Sequence, residues 1–136
     1  MKLIQLLLTS TVLWVLISCK EDDTPVQDFV IGEWQPSIAF GDGDFFEFND
    51  CEKQGRTIFQ PNGAYSFSSY LEVLAGDNSV ECSLNGSGTG TWLKKAENMY
   101  TIEAGSLIET IEIIPIHADT IRFRADQNNY ADYSRL

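Results

Sequence analysis

The stretch "RTIFQPNGAYSFSSYLEV", Arg56–Val73, decides the fold of this chain. Its two apolar runs are rich in β-branched and aromatic residues, and they flank Pro61-Asn62-Gly63. Proline presets one backbone angle of a turn, and glycine accepts the positive φ that a tight hairpin needs. The stretch therefore predicts two antiparallel strands joined by a short turn.

Similar short apolar runs, separated by Gly, Pro, Asn and Asp, lie on both sides of this hairpin. The first strand is expected at Val30–Phe40, and a second hairpin has its tip at Lys94–Asn98. The next pair, "LIETIEIIPI" and "TIRFRA", turns across His117-Ala118-Asp119, and "NYADYSRL" is a candidate closing strand. Seven or eight short strands in roughly 110 residues predict an all-β fold, a small antiparallel up-and-down barrel, with a sandwich as the alternative.

Three glycines, Gly86, Gly88 and Gly90, alternate with Ser and Thr along one predicted strand. Glycine at every second position leaves one face of a strand without side chains. This pattern predicts sharp coiling or the close approach of a large neighbouring side chain.

The bulk composition fits one globular domain and excludes one class of partner. Of 136 residues, 43% are hydrophobic and 12% aromatic, which is enough for a packed core. Nine Lys and Arg stand against 20 Asp and Glu, for a formal net charge of −11. Nucleic acid is not expected as a partner, because phosphate binding needs a basic surface. The simplest explanation of the acidic composition is that a net negative charge keeps the protein soluble.

Residues 1–18 have the layout of a secretory signal peptide. Lys2 precedes an apolar run from Leu3 to Ile17. A transmembrane helix would need about 20 apolar residues, and this run is shorter and is followed by acids. We therefore expect a signal peptide at 1–18, a tether at 19–28 that contains Pro25, and one barrel domain at 29–136.

The end of that segment resembles a bacterial lipobox. Leu16-Ile17-Ser18-Cys19 matches its pattern, whose last residue is the cleavage-site cysteine. The resemblance implies that signal peptidase II cuts before Cys19 and that the Cys19 thiol carries lipid, palmitate among the acyl groups. Two or more acyl chains anchor a protein stably, whereas one holds only marginally. The alternative is a signal-peptide cysteine of no consequence.

The next four residues, Lys20, Glu21, Asp22 and Asp23, resemble the surface-export signal of Bacteroidota lipoproteins. That resemblance implies an outer-membrane lipoprotein exposed at the cell surface. The alternative is a plain solvated tether.

The strand region resembles the small lipocalin-like domain of Bacteroidota lipoproteins. Gly32-Glu33-Trp34 looks like the G-x-W that opens such domains, and "CEKQGRTIFQPNGAYSF", Cys82 and Gly90-Thr91-Trp92 follow in the same order. The likeness spans about Val30 to Ala125. It implies a barrel in which Trp34 plugs the closed end. Shorter loops distinguish the chain from larger lipocalins, whose ligand cavity is deep.

The cysteine count is three, which leaves one unpaired in any intramolecular scheme. With Cys19 assigned to lipid by the lipobox resemblance, and in an oxidising compartment, Cys51 and Cys82 are expected to form a disulfide. A metal site on these two cysteines would need two further ligands, and the chain has one histidine. No metal or cofactor is therefore expected.

No motif in the chain predicts catalysis. His117 falls at a turn, and no Ser or Cys motif points to it as a base. Four acids crowd the stretch "FGDGDFFEFND", but Phe46 occupies the fifth position of an EF-hand loop. A loosely bound cation is the alternative to a solvated loop whose phenylalanines, Phe45, Phe46 and Phe48, tuck against the barrel rim. The four acids are Asp42, Asp44, Glu47 and Asp50.

Two functions fit these patterns, neither of them enzymatic. The first is a lipid-anchored barrel that binds a small hydrophobic molecule at its open end. The second is an interaction lipoprotein, whose barrel is filled by its own side chains and whose loops meet another envelope protein. An apolar cavity of about 300 Å³ or more would favour the first, and a solid core the second.

Overall fold

The computed structural model describes residues 27–136. The expected signal peptide, Cys19 and the export residues Lys20–Asp23 lie outside the described residues. Within residues 27–136, no helix is long and apolar enough to cross a membrane.

Nine strands and one 3-10 turn make up the described chain, and every strand pairing is antiparallel. The elements are β1 (Gly32–Gly41), β2 (Asp44–Glu47), the 3-10 turn (Glu52–Gln54), β3 (Arg56–Phe59), β4 (Ala64–Leu74), β5 (Val80–Ala96), β6 (Met99–Ala104), β7 (Leu107–His117), β8 (Thr120–Arg124) and β9 (Tyr130–Arg135).

Eight of these strands close into a barrel. Strands β3 to β9 pair in chain order, β3 pairs with β1, and β9 pairs back to β1. The closing register runs from Trp34 opposite Arg135 to Phe40 opposite Tyr130. This confirms the predicted all-β up-and-down barrel, and closure excludes the sandwich.

The hairpin at Arg56–Val73 forms as its turn chemistry predicts. The Gln60 amide donates to the Ala64 carbonyl at 2.9 Å, and the Gly63 amide donates to the Gln60 carbonyl at 3.0 Å. Gly63 has a φ of 83°, a conformation that side chains with a Cβ rarely adopt. The glycine is therefore required at this turn.

The alternating glycines of β5 make room for close neighbours. A Cβ on Gly88 would lie 2.6 Å from the ring of Phe67 on β4, and a Cβ on Gly90 would meet the main chain of Glu103 on β6. The expected close approach is thus present, by an aromatic ring at one glycine and by backbone at another.

The core occupies one end of the barrel. Its largest side chains are less than 2% exposed: Trp34, Tyr100, Phe59, Ile113, Ile121 and Val30. Strand β1 begins at this closed end, and the β3–β4, β5–β6 and β7–β8 turns lie there. The opposite, open end carries the β1–β2, β4–β5, β6–β7 and β8–β9 turns.

The acidic stretch differs from the expected loop. Its residues 44–47 form β2, which pairs with Ile38–Gly41 of β1. Phe45 and Phe46 are 66% and 54% exposed rather than tucked against the rim. Pairing with β1 fixes the backbone of β2, and these two side chains then project from a strand at the barrel's mouth.

Candidate functional site

The open half of the barrel contains a cavity of about 300 Å³. Strands β1, β3, β4, β5 and β9 supply its inner wall, and the segment between β2 and β3 supplies one side. The lining residues are Pro36, Phe48, Glu52, Gly55, Arg56, Thr57, Tyr65, Phe67, Ser68, Ser69, Tyr70, Asn85 and Tyr133. The wall is therefore rich in aromatic rings and in uncharged polar groups.

Aromatic rings in tilted and edge-to-face contacts form the floor of the cavity and join it to the core. The ring of Phe59 lies 5.2 Å from that of Tyr65, and the ring of Phe123 lies 4.6 Å from that of Tyr133, centroid to centroid. Phe59 also contacts Trp92 edge-on at 5.7 Å. Such tilted and edge contacts are favourable aromatic geometries, so the floor is fixed by packing.

Two tyrosine hydroxyls in the wall have no hydrogen-bond partner in the part of the chain that the structure describes. Among residues 27–136 neither Tyr65 nor Tyr133 makes a side-chain hydrogen bond, and no buried side-chain oxygen is left unsatisfied. Both residues line the cavity, and neither hydroxyl oxygen is fully buried without a partner. Each can bond to water or to a ligand.

Both phenols remain neutral over the physiological pH range. Burial raises the pKa of Tyr65 to about 12, and the nearby Tyr133 and Glu109 add to the shift. Burial also raises the pKa of Tyr133. A neutral phenol keeps its proton, so each hydroxyl is a hydrogen-bond donor as well as an acceptor.

A disulfide fixes the side of the cavity that the β2–β3 segment forms. Cys51 bonds to Cys82 of β5, with their Cα atoms 5.1 Å apart, as the sequence predicts. The Asn49 amide donates to the Glu52 carboxylate at 2.8 Å, and the Glu52 amide donates to the Asn49 side chain at 2.9 Å. The disulfide and this reciprocal cap hold Glu52 and its neighbours against the barrel.

The two charged residues in the wall already have partners. The Arg56 Nε lies 3.2 Å from a carboxylate oxygen of Glu33, and its Nη1 donates to the carbonyls of Lys53 and Gly55. Glu52 accepts the Asn49 amide described above. Among residues 27–136, the cavity wall thus presents no charged side chain that lacks a partner.

Trp34, the residue expected to plug the barrel, lies at the closed end. It is 0% exposed, and its indole N–H donates to the Val30 carbonyl at 2.7 Å. The Arg135 guanidinium carbon lies 4.2 Å from the ring centre, a cation–π contact. This packing separates the cavity from solvent at the far end.

The remaining candidate residues do not assemble into a site. His117 is exposed at the end of β7, at the opposite end of the barrel from the cavity. Within residues 27–136, no group of three or more His, Cys, Asp or Glu side chains is arranged to hold a metal ion. The acids Asp42, Asp44, Glu47 and Asp50 belong to the β1–β2 hairpin and its exit.

Solved structures with a similar fold include two Bacteroides proteins. A lipocalin-like protein from Bacteroides uniformis ATCC 8492 matches with a TM-score of 0.56 and 13% identity, over 80% of this chain and 100% of that one. An uncharacterized protein from Bacteroides eggerthii DSM 20697 matches with a TM-score of 0.54 and 11% identity, over 79% and 99%. At these identities the likeness shows a shared lipocalin-like fold.

No family model matches this chain. No curated protein matches it either.

Most of the cavity-lining residues could not be predicted from the sequence patterns. Tyr65 and Phe67 alternate on one strand, which places them on one face. Tyr133 gives no local signal of this kind, because its place beside them depends on how β9 closes against β1. Phe48 and Glu52 lie in the segment that the disulfide links to β5, so their place in the wall depends on a long-range bond.

Proposed function

We propose that the protein is a lipid-anchored envelope lipoprotein whose barrel binds a small, largely apolar molecule in the open-end cavity. The observation that carries this proposal is the aromatic-lined cavity of about 300 Å³, whose wall includes Tyr65 and Tyr133, two tyrosines without a side-chain hydrogen bond among residues 27–136. Ligand sites are mostly apolar hollows of about 300–1,000 Å³ with a few placed polar groups. The role is binding rather than catalysis.

The size of the cavity limits the ligand. The closed half of the barrel is filled by Trp34, Tyr100 and Phe59, so a ligand occupies the open half alone. The volume lies at the lower end of the range for drug-sized ligands. We therefore expect a compact molecule rather than a long acyl chain lying along the barrel axis.

The anchor part of the proposal rests on sequence. Leu16–Cys19 supplies the lipobox pattern, and Lys20–Asp23 supplies the export pattern. Lipid on Cys19 would place the barrel at the outer membrane, with the tether before Phe29 entering at the closed end. The open end would then be free to meet its ligand.

Native mass spectrometry of the protein purified from its own host tests the binding role. We expect an added mass that is released by denaturation, and we expect Ser69→Trp, which fills the cavity, to lack it. Ser106→Trp, in the exposed β6–β7 turn, is the matched control and should retain it. A bare protein mass, together with no uptake of a neutral apolar dye such as Nile red, would refute ligand binding.

A second candidate function is docking of another envelope protein at the open end. Large apolar side chains from three hairpins are exposed there: Phe45, Phe46, Leu74, Val80, Leu107 and Ile108. Exposed apolar side chains gathered at one end are typical of interaction surfaces. A photo-crosslinking residue at Phe45 would capture one discrete partner in cells, whereas the same residue at Leu93, exposed near the other end, would not.

A further inference from the structure

The chemistry of the cavity wall specifies its ligand further, given the proposed binding role. In the part of the chain that the structure describes, Arg56 is the one cationic side chain that lines the cavity, and it already contacts Glu33 and two backbone carbonyls. An anionic ligand would have to compete with Glu33 for this guanidinium. Burying a carboxylate without a dedicated partner is strongly unfavourable.

The charges around the mouth also oppose an anion. Glu109 lies near enough to Tyr65 to affect its titration, and acids outnumber bases in the elements at the open end. Of the bases there, Arg124 is paired with Glu112 at 3.2 Å, and Lys53 lies in the 3-10 turn. The acids are Asp42, Asp44, Glu47, Asp50, Glu72, Asp77, Glu81, Glu103, Glu109 and Asp126. A negative field of this kind lowers the local concentration of anions.

The uncharged polar groups of the wall favour a ligand that carries hydrogen-bonding groups of its own. Tyr65 and Tyr133 present hydroxyls that donate and accept, and Ser68, Ser69 and Asn85 lie at the same cavity. A ligand that left these groups unpaired would forfeit their hydrogen bonds with water. The rings of Phe48 and Phe67 offer flat apolar surface, which favours a ring over a flexible chain.

We infer that the cavity selects an uncharged ring compound that carries a hydroxyl or carbonyl group bonded by Tyr65 and Tyr133, and that it discriminates against anionic amphiphiles such as fatty acids.

Three naphthalene probes of nearly equal shape test this inference by isothermal titration of the purified protein. The probes are naphthalene, 2-naphthol and the anion 2-naphthoate. We expect 2-naphthol to bind at least about tenfold more tightly than 2-naphthoate at neutral pH, because the carboxylate lacks a free cation. High salt should narrow this difference, since it screens the acids at the mouth.

Removing one tyrosine hydroxyl at a time tests whether Tyr65 and Tyr133 form hydrogen bonds with the ligand. Tyr65→Phe and Tyr133→Phe should each weaken 2-naphthol binding about fivefold, the effect of one neutral hydrogen bond, and leave naphthalene binding unchanged. Tyr130→Phe is the matched control, because Tyr130 stacks between Phe40 and Arg122 and does not line the cavity. It should alter neither affinity.

The outcomes separate this inference from the proposed function. If 2-naphthoate binds as tightly as 2-naphthol, the selection for uncharged ligands is wrong while ligand binding stands. If the tyrosine variants weaken naphthalene and 2-naphthol equally, the hydroxyl assignment is wrong. If none of the probes binds to the cavity, and the host-purified protein is also empty, the proposed function itself fails.

Discussion

The hydroxyl of Tyr100 lies 2.7 Å from a carboxylate oxygen of Asp28 and donates a hydrogen bond to it across the closed end of the barrel. The other oxygen of Asp28 accepts from Lys94 Nζ at 2.9 Å, and the Val30 amide donates to the first at 3.2 Å. Burial alone would raise the pKa of Asp28, but the hydrogen bonds from Lys94 and Tyr100 outweigh it and lower the pKa. Asp28, four residues before the start of β1, is thereby tied to Lys94 of β5 and Tyr100 of β6.

Tyr100→Phe should lower the free energy of unfolding by about 1.5–3 kcal/mol, the usual contribution of a hydrogen bond to a charged group. The variant keeps the ring and removes the one oxygen that reaches Asp28. Urea denaturation measures the change, and Asp28→Ala, which removes the acceptor oxygen, assigns it to this pair in a double-mutant cycle. If the two substitutions were additive, the hydrogen bond would not be the source of the loss.

Alkaline pH should destabilise the barrel through its buried phenols. Burial raises the pKa of Tyr65 to about 12, and the pKa values of Tyr100 and Tyr133 are also raised. In the unfolded chain these phenols ionise near 10, so above that pH the unfolded state binds fewer protons than the folded state. Stability contributed by the neutral phenols is therefore complete below pH 10 and declines as the pH rises further.

Urea titrations at a series of pH values measure this decline, which has a limiting slope of about 1.4 kcal/mol per pH unit for each tyrosine. Tyr65→Phe should reduce the slope, because phenylalanine does not titrate. An unchanged slope in that variant would show that Tyr65 is not protected in the folded state.

The close contact between Phe67 and Gly88 predicts that substitution by alanine lowers the unfolding free energy much more at Gly88 than at Gly86. Gly88→Ala places a methyl group 2.6 Å from the Phe67 ring, whereas a Cβ on Gly86 lies 3.5 Å from Ser69 Oγ, an ordinary contact. We expect Gly88→Ala to cost about 1–3 kcal/mol of unfolding free energy, as overpacking does. Gly86→Ala should stay within about 0.5 kcal/mol of the parent.

Thermal and urea denaturation of both variants measure the difference. Adding Phe67→Leu to Gly88→Ala should recover part of the lost stability, since it removes the ring edge that the methyl group meets. Equal effects at the two glycines would mean that backbone conformation, and not Phe67, decides the cost.

Local turn chemistry explains which parts of the fold could be predicted from sequence. Pro61-Asn62-Gly63 locates the β3–β4 turn to within a few residues. The number of predicted strands then favours a closed barrel. The β1–β2 hairpin carries an equally local signal, because Asp42 and Gly43 both have positive φ, at 53° and 90°, in a two-residue turn. Asp-Gly is typical of such turns, so the stretch expected to be a solvated loop forms a hairpin instead.

The cavity could not be predicted because it depends on strand register. The pairing of β1 with β9 shifts between Pro36 and Ile38, where proline lacks an amide and the Ser37 hydroxyl donates to the Asp132 carbonyl at 2.9 Å. Such a bulge changes which side chains face inward beyond it. Whether Tyr133 meets Tyr65 is therefore decided by long-range pairing and not by local pattern.

The Cys51–Cys82 disulfide should contribute about 3–4 kcal/mol to stability, because it closes a loop across a sequence separation of 31. Replacing both cysteines with serine should lower the urea midpoint accordingly and weaken ligand binding, since Phe48 and Glu52 lose their attachment to β5. Alkylation without reductant, read by mass, should modify neither thiol in the parent protein. Two modified thiols would contradict the disulfide in solution.

The anchor prediction concerns Cys19 and the acids that follow it. Cys19→Ser should leave the protein unacylated and its precursor uncleaved, because a serine hydroxyl does not replace the thiol that receives the lipid. Metabolic labelling with a fatty-acid analogue and the precursor mass measure these two effects. Cys51→Ser is a control, since that cysteine forms the disulfide and should not carry lipid.

If Cys19 carries lipid, the acids that follow it would lie outside the bilayer, so they should act separately from the lipid. Replacing Glu21, Asp22 and Asp23 with Ala should preserve acylation and detergent partitioning but remove the protein from the cell surface. Protease treatment of intact cells measures surface exposure, and lysed cells give the total. If the triple variant is digested on intact cells as readily as the parent, Lys20–Asp23 is a tether and not an export signal.

If Cys19→Ser is still processed and extracted from membranes by detergent alone, Leu16–Cys19 is not a lipobox.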